Sequence, residues 1–292
     1  MNHFLINKNI ARASFNRAAS TYDEVAALQR EVGQRLLERL ELVRMVPDTI
    51  LDIGCGTGDV TLQLADTYKR STIYAMDFAE QMLQVARRKQ TWKQKLLKRS
   101  FHFVCSDAEL LPFSNQSIDF IFSNLTLQWC INLDRTFAEF RRILKPGGLV
   151  MFSTLGPDTL KELRASWLAV DQHQHVHSFI DMHDVGDAMV RARLADPVMD
   201  VEQFILTYDD GLTLMRELKQ LGAHNAAADR PHQLTGKTHL KKVLDSYEQF
   251  RKDGKLPASY EVVYGHAWCP QNPGKEPGSN DTITVQFQGS RK

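Results

Sequence analysis

Apolar and polar positions between residues 49 and 155 form a repeating pattern in which short apolar runs alternate with helix-like segments. The runs are rich in Ile, Val and Phe, which is typical of strands. Strands that alternate with helices predict a parallel sheet covered by helices on both faces. The five runs are TILDI, STIYAMD, FHFVCSD, IDFIFSN and LVMFSTL.

The flanking segments extend this prediction on both sides. From Asn9 to Leu42 the pattern is helical, and Pro47 ends that region. Further on, Asp158–Val170 and Asp209–Leu221 have helical patterns, whereas QFILTY and YEVVYGHAW have strand patterns. We expect the two late strands to complete a seven-stranded, mostly parallel sheet, with the last strand pairing as an antiparallel edge.

The predicted organisation is an α/β, Rossmann-like domain preceded by a helical segment. Residues 1–46 are expected to form an N-terminal helical lid, and residues 47–268 the main domain, with insertions at about 156–200 and 209–258. Residues 269–292 are rich in Pro, Gly and polar residues, so we expect a flexible tail there.

Composition narrows the class of protein. No apolar run approaches the roughly 18 residues that span a bilayer, and the N-terminal MNHFLINKNI has no hydrophobic signal core. The four cysteines are scattered, which is typical of reduced thiols in the cytoplasm. A net charge of +1 argues against broad binding of nucleic acid. We therefore expect a cytoplasmic protein without a membrane or nucleic-acid partner.

A glycine-rich loop, ILDIGCGTGDV at residues 50–60, follows the first apolar run. Such loops usually hold a nucleotide cofactor, because the backbone can approach a ligand closely where no side chain intervenes. The spacing is neither the G-x-G-x-x-G of dinucleotide sites nor a P-loop with its lysine. Asp52 and Asp59 flank the glycines, and their carboxylates would repel a pyrophosphate but suit a cation. S-adenosylmethionine, with an amino group, a sulfonium and an adenosine, matches this pattern.

The other strand ends supply matching groups, since ligands of parallel sheets bind at the carboxyl ends of the strands. Asp77 is expected to accept hydrogen bonds from the ribose hydroxyls, and Asp107 from the adenine amino group, beside the backbone N–H of Ala108. Phe78 and Met82 are expected to flank the adenine ring. One such aspartate alone is more often a helix cap. The predicted cofactor-binding residues are Tyr22, Gln29, Asp52, Gly54, Cys55, Gly56, Asp77, Phe78, Met82, Asp107, Ala108 and Asn124.

These residues also carry a family resemblance. The motifs LDIGCGTG, SDAELLPF and RRILKPGG, with Asp77, resemble the class I methyltransferases from about Thr49 to Thr154. Residues 14–40, 123–167 and LTYDDGLTLMRELKQLGAHN are similar to the malonyl-[acyl-carrier protein] O-methyltransferases of biotin synthesis, up to about Trp268. The resemblance implies methyl transfer from S-adenosylmethionine to the free carboxylate of malonyl-acyl carrier protein. The implied products are S-adenosylhomocysteine and a methyl ester that primes pimeloyl synthesis, and no metal is implied.

The implied reaction needs no general base, because a carboxylic acid with a pKa near 4 is already ionised at neutral pH. We expect catalysis by positioning, through Tyr22, Gln128 and Trp129. An arginine is expected to hold the carboxylate, since its planar fork matches two oxygens. The sequence leaves four candidates open, namely Arg17, Arg141, Arg164 and Arg216. Tyr22 and Gln29 are expected to cover the cofactor, the alternative being an N-terminal helix that simply packs on the sheet.

Two polar stretches remain. Acyl carrier proteins are acidic, and residues 86–99 carry seven positive charges and no acidic residue, so Arg87 to Arg99 is the predicted docking stretch. Lys237, Lys241 and Lys242 form a smaller basic group. His173, His175 and His177 alternate as metal ligands on a strand do, but nothing flanks them at zinc spacing. We interpret them as an exposed loop without a metal.

Two other functions are compatible with the sequence. One is a methyltransferase for a small molecule such as a quinone precursor, which would need an apolar pocket and usually a base. The other is a methyltransferase-like assembly or modification factor, because GPDTLKELRASW is similar to a segment of such a respiratory-complex factor. The sequence does not decide between carrier-protein and CoA thioesters, nor does it give the oligomeric state.

Overall fold

The computed structural model describes residues 6–90, 101–223 and 236–271, which form a domain around one seven-stranded sheet. The strands are β1 (Thr49–Ile53), β2 (Thr72–Asp77), β3 (Phe101–Cys105), β4 (Ile118–Ser123), β5 (Leu144–Leu155), β6 (Ala195–Tyr208) and β7 (Leu256–Trp268). Their order is β3-β2-β1-β4-β5-β7-β6. Strands β1 to β5 are parallel, and β7 is antiparallel to both β5 and β6.

The described residues also form ten α-helices. They are α1 (Lys8–Ala18), α2 (Tyr22–Val25), α3 (Ala27–Leu40), α4 (Asp59–Thr67), α5 (Glu80–Lys89), α6 (Leu133–Ile143), α7 (Lys161–Leu168), α8 (Met182–Arg191), α9 (Gly211–Gln220) and α10 (Lys237–Tyr247). Four of them begin after an Asn or Asp whose side chain accepts a hydrogen bond from a backbone N–H of the first turn, at Asn7, Asn132, Asp181 and Asp210. Such caps satisfy donors that have no partner within the helix.

Alternate residues of the central strands enter two different core layers, as a sheet covered on both faces requires. In β1, Ile50 belongs to one cluster, whereas its neighbour Leu51 belongs to the other. In β4, Phe120 and Ile121 divide in the same way. The predicted seven-stranded, mostly parallel sheet is confirmed.

The predicted arrangement of the last two strands is wrong in one respect. The final strand, β7, lies inside the sheet between β5 and β6, and β6 is the edge. Strand β6 also begins at Ala195, within the segment expected to be an insertion, rather than at Gln203. Its first half contains Pro197 and the exposed Val198, so it lacks the apolar run that marks a buried strand.

Two of the N-terminal helices pack on different parts of the domain. Helix α3 packs on the sheet, because Leu28, Val32, Leu36 and Leu40 join a core cluster of the strands. Helix α1 instead packs against α5, where Phe15 is in a small cluster with Met82. Residues 1–5 and the predicted tail from residue 272 onward lie outside the described residues.

Candidate active site

The carboxyl ends of β1 and β4 adjoin at the centre of the sheet, where the strand order changes direction. Ligands of open parallel sheets bind in the crevice at such a switch point. The glycine loop follows β1, and Asn124, Leu125 and Thr126 follow β4. Leu125 has φ +49°, which is rare for a residue with a branched side chain and is found at constrained functional positions.

The glycine loop is shaped by close contact on one side and open space on the other. Gly54 has φ +72°, and a Cβ there would lie 1.9 Å from Thr126 Oγ1. Its N–H donates to the carbonyl of Met76 at 2.7 Å, which ties the loop to β2. Gly56 has φ +54°, and a Cβ there would meet only the Tyr22 ring, at 3.9 Å. The backbone at Gly56 is therefore open toward a ligand.

Asp77 ends β2 beside this loop and is 6% exposed. Its Oδ2 accepts from the Gly56 N–H at 2.9 Å, and its Oδ1 accepts from the Ala79 N–H at 2.8 Å. Burial raises the pKa of Asp77 to about 6, although the backbone N–H groups of Ala79, Gly56 and Phe78 oppose that shift. Each carboxylate oxygen keeps a lone pair for a further donor.

Asp52 lies deeper, in the last part of β1. Its Oδ2 accepts from Thr61 Oγ1 at 2.5 Å. Burial raises the pKa of Asp52 to about 7; the Thr61 hydrogen bond opposes that shift and the Asp77 charge adds to it. Two acids with raised pKa values beside an open glycine loop are typical of a functional site.

Three adjoining cavities surround these residues. The first, which we call the glycine-loop cavity, has a volume of about 640 Å³. Nine of the predicted cofactor-binding residues line it, namely Tyr22, Gly54, Gly56, Asp77, Phe78, Met82, Asp107, Ala108 and Asn124. The other three, Gln29, Asp52 and Cys55, line a neighbouring cavity of about 470 Å³ that also contains Tyr22, Gly54 and Gly56. The structure thus brings all twelve predicted residues to one place.

The apolar cavity, of about 790 Å³, adjoins the glycine-loop cavity. Both are lined by Phe15, Tyr22, Leu125 and Trp129. Most of the apolar cavity's wall consists of aliphatic and aromatic side chains, including Val25, Leu28, Leu155, Leu160, Phe179, Leu206, Leu218, Leu221 and Tyr260. A polar nucleotide-type site thus meets an apolar one at four shared residues.

Residues of α1 and α2 cover this meeting point. The Phe15 ring packs edge-on against Trp129 at 5.1 Å and against Phe78 at 5.8 Å. Burial, and then the charge of Asp77, raise the pKa of Tyr22, so that its hydroxyl stays a hydrogen-bond donor. The side chain of Tyr22 lines all three cavities.

Asn124 and Gln128 are engaged with the protein. Asn124 Nδ2 donates to the Gln29 carbonyl at 2.9 Å, and its Oδ1 accepts from Ser153 Oγ at 2.7 Å, so it joins α3 to β5. Gln128 Nε2 donates to the Leu125 carbonyl at 2.7 Å. Gln128 lines the apolar cavity, next to Trp129 on a short 3₁₀ turn.

Asp107 has a partner that the sequence did not reveal. The Lys8 Nζ on α1 contacts both oxygens of Asp107, at 2.6 and 2.7 Å, and also bonds to Glu109. Burial lowers the pKa of Lys8, but the bonds to the two carboxylates raise it by more. The predicted adenine acceptor therefore also anchors the N-terminal helix.

The four candidate arginines do not line this site. Arg17 and Arg216 are exposed. Arg164 on α7 is half-buried, and its guanidinium donates to the carbonyls of Pro157 and Thr159 at 2.8 and 3.0 Å. Among the described residues, neither these three nor Arg141 is in the wall of the glycine-loop or the apolar cavity. The prediction that one of the four holds the substrate is therefore not supported by the geometry.

The histidine run is only partly the exposed loop that was predicted. His173 is exposed, but His175 stacks on Trp167 at 3.7 Å and bonds to Asp171 at 2.9 Å. His177 stacks on Trp129 at 6.1 Å and lines the apolar cavity. Within the described ranges, no group of three or more His, Cys, Asp or Glu residues is placed to hold a metal ion.

Comparison with known proteins shows which family this chain belongs to. A family model for a methyltransferase domain matches residues 51–152. The malonyl-[acyl-carrier protein] O-methyltransferase of Methylovorus sp. (strain MP688) is 53% identical over 92% of this chain and 91% of that protein. The enzyme of the same name from Gallionella capsiferriformans (strain ES-2) is 49% identical, over 92% and 93%. The chain belongs to this family of O-methyltransferases.

The fold agrees with that assignment. The crystal structure of the YcgJ protein from Bacillus subtilis matches 81% of this chain and 98% of its own, with a TM-score of 0.57 and 14% identity. At that identity the likeness concerns the fold alone. The class I methyltransferase fold and the family resemblance predicted from the motifs are both confirmed.

Other features of this methyltransferase bear on its partners. Residues 91–99 of the predicted docking stretch lie outside the described residues, whereas Arg87 and Arg88 are exposed at the end of α5. Lys89 Nζ contacts Asp59 at 2.5 Å and Asp23 at 2.6 Å, which places the end of α5 beside the glycine loop.

None of the helices in the described ranges has the length and apolar character needed to cross a bilayer.

Several wall residues of this methyltransferase were missed by the sequence prediction. They are Lys8, Phe15, Arg30, Thr126, His177 and Glu217. Thr126 is next to the predicted Asn124 and fits beneath Gly54, a contact that no local pattern encodes. The alternating histidines mark His177 in the sequence, but that pattern points to metal binding and not to a place in a cavity wall.

Proposed function

We propose that this chain transfers the methyl group of S-adenosylmethionine to the free carboxylate of malonyl-acyl carrier protein. The observation that carries the proposal is the meeting of two cavities at Phe15, Tyr22, Leu125 and Trp129, one cavity polar and built on the glycine loop, the other apolar. Relatives that are 53% and 49% identical over nearly the whole chain have the corresponding name. The methyl ester product would prime pimeloyl synthesis for biotin.

The glycine-loop cavity fits S-adenosylmethionine. The Asp77 carboxylate is held by two backbone N–H groups in the position to accept from a ribose. Phe78 and Met82 provide apolar walls for adenine, and the open backbone at Gly56 allows close approach of the amino-acid end. When bound, this cofactor supplies a methyl group made electrophilic by a positively charged sulfur.

The apolar cavity suits a carboxylate acceptor that is already ionised. The negative charge of the carboxylate disappears as the ester forms, so an environment poor in water favours the reaction. Neither an arginine nor a lysine is among the described residues that line this cavity, and its only acidic one is Glu217. The carboxylate would therefore be directed away from Glu217, toward the junction with the glycine-loop cavity.

Catalysis then depends on placement. Phe15 and Trp129 pack edge to face at the junction, and Leu125, in its left-handed conformation, also lines it. The protonated Tyr22 hydroxyl can donate to the acyl acceptor at the same point. Holding the reacting atoms in line accounts for a large share of the acceleration in reactions of this kind.

Mass spectrometry of malonyl-acyl carrier protein, incubated with the protein and S-adenosylmethionine, tests the proposal. We expect the carrier protein to gain one methyl group, and the gain to be abolished by Asp77→Asn. Asp245→Asn, at an exposed acid of α10 that pairs with Lys241, is the matched control and should leave the transfer unchanged. An unmodified carrier protein, with cofactor binding intact by calorimetry, would contradict the proposed substrate and favour a small-molecule acceptor or an assembly role.

A further inference from the structure

His177 is an unusual member of the apolar cavity's wall. It lies in the connection between α7 and α8, with its ring stacked on Trp129 at 6.1 Å and an interplanar angle of 14°. Its Nδ1 atom is buried and has no hydrogen-bond partner.

The protonation of His177 decides what Nδ1 can do. Burial lowers the pKa of His177, the Gln128 carbonyl opposes that shift, and the charge of Arg164 adds to it, so the ring is neutral at pH 7. In the tautomer with the single proton on Nε2, Nδ1 is a hydrogen-bond acceptor. A neutral ring that offers an acceptor is a poor partner for a malonyl carboxylate, but a good one for an N–H group.

Gln29 presents a second acceptor in the same wall. It lies on α3, and its side-chain Oε1 is likewise buried without a partner. Its backbone carbonyl accepts from Asn124, which fixes the residue against the sheet. A buried acceptor without a donor destabilises the ligand-free protein, and a ligand that provides the donor recovers that free energy. His177 and Gln29 both line the apolar cavity, so a ligand bound there that carries N–H groups can supply the missing donors.

We propose that His177 and Gln29 recognise the amide N–H groups of the pantetheine arm that carries the acyl thioester, and so position its malonyl end at the Tyr22 and Trp129 junction. This inference rests on the proposed function and names the part of the substrate that the apolar cavity binds. The arm has an apolar chain, which suits the aliphatic wall, and two secondary amides, which supply the donors. The acidic Glu217 in the same wall excludes an anionic group from that end of the cavity.

A series of thioesters with different numbers of amides tests whether His177 and Gln29 recognise the amide N–H groups or affect activity in general. The acceptors are malonyl-pantetheine with two amides, malonyl-N-acetylcysteamine with one, and S-ethyl malonyl thioester with none. For His177→Phe, which keeps the aromatic stack, we expect kcat/KM to fall about five- to tenfold with malonyl-pantetheine and less than twofold with the S-ethyl thioester. Gln29→Met, compared at saturating S-adenosylmethionine because Gln29 also lines the cavity of about 470 Å³, should show the same dependence on the amides, and it replaces the first variant if His177→Phe does not fold.

His175→Phe is the matched control, because His175 is in the same segment, stacks on Trp167 and does not line the cavity. It should leave kcat/KM unchanged for all three thioesters. Equal losses with every thioester, or no loss with malonyl-pantetheine, would overturn the role of His177 and Gln29 while leaving the proposed function in place. If the unaltered protein methylates none of the three acceptors and no malonyl-acyl carrier protein, the proposed function fails and this inference with it.

Discussion

Two opposing effects set the pKa of Asp77. Burial disfavours its anion, whereas backbone N–H groups that donate to the carboxylate favour it. Burial raises its pKa to about 6, against the effect of three backbone N–H groups. A ligand whose hydroxyls donate to the carboxylate binds the ionised form. We therefore expect S-adenosylhomocysteine to bind about tenfold more weakly at pH 5 than at pH 7.5, as measured by calorimetry. An affinity that does not change over this range would contradict the assignment.

In the ligand-free protein, the raised pKa of Asp77 lowers the stability of the fold as pH rises, whereas it strengthens ligand binding as pH rises. The folded chain holds the Asp77 proton more tightly than an unfolded chain, whose aspartates have pKa values near 3.9. Between about pH 4 and pH 6 the folded state therefore binds more protons, and this residue's contribution to stability falls as pH rises. Asp77→Asn removes the titration, so its weakened ligand binding should vary less with pH than that of the unaltered protein.

Substitution of Gly54 tests the close contact between the glycine loop and Thr126. In Gly54→Ala the new methyl group would lie 1.9 Å from Thr126 Oγ1, in a backbone with φ +72°. Gly254→Ala is a close control, since Gly254 has φ +76° and a Cβ there meets nothing within 4 Å. The control should lose about 1 kcal/mol of stability from strain alone. We expect Gly54→Ala to lose roughly 1–3 kcal/mol more, from overpacking, in denaturant unfolding. Equal losses would show that the contact with Thr126 is unimportant.

At the scale of elements, helix α1 is held over the glycine-loop cavity by few polar contacts. Lys8 bonds to Asp107 and Glu109, and the Asn16 side chain accepts from the Gln81 N–H. Lys8→Met leaves two carboxylates facing each other without a cation. We expect opening of α1 to become easier by on the order of 1 kcal/mol, which is roughly fivefold faster amide hydrogen exchange in residues 8–18. Lys161→Met, which breaks an exposed pair with Asp158, should not change exchange there.

The elements also show where sequence patterns stop being informative. The five parallel strands and the glycine loop were predictable, because each is encoded by a local run of residues. Strand β6 was not, since an edge strand that contains Pro197 and exposes Val198 lacks a distinctive period. The contact of Lys8 with Asp107 joins residues 99 positions apart, and the contact of Gly54 with Thr126 is similarly remote. Such pairs follow only from the packing of the whole chain.

For the whole molecule, the parallel sheet explains why residues of the glycine-loop cavity could be predicted and most residues of the apolar cavity could not. The carboxyl ends of β1 to β4 contribute to one crevice, so acids at successive ends of these parallel strands converge. The wall of the apolar cavity also includes residues of α1, α2, α3, α9 and the segment around His177, whose relative positions depend on tertiary packing. The sequence therefore could not show that none of the four candidate arginines lines the apolar cavity.

Charge over the whole molecule provides the last prediction. With a net charge of +1, any attraction for an acidic carrier protein must come from a local patch. Arg88 is exposed at the end of α5, near the glycine loop, whereas Arg70 is exposed just before β2, at the opposite end of the strand from Asp77. We expect Arg88→Glu to lower kcat/KM for malonyl-acyl carrier protein about two- to fivefold at low salt, and Arg70→Glu to have no effect.

Malonyl-pantetheine distinguishes docking from chemistry in this experiment, because it has no carrier protein to dock. Its kcat/KM should be the same for Arg88→Glu and the unaltered protein, and should vary little with salt. With the carrier protein, the difference between the two proteins should shrink as salt rises, since exposed charges are screened beyond about 10 Å at 0.1 M ionic strength. A loss with malonyl-pantetheine of the same size would mean that Arg88 acts on the active site itself, and the docking prediction would be wrong.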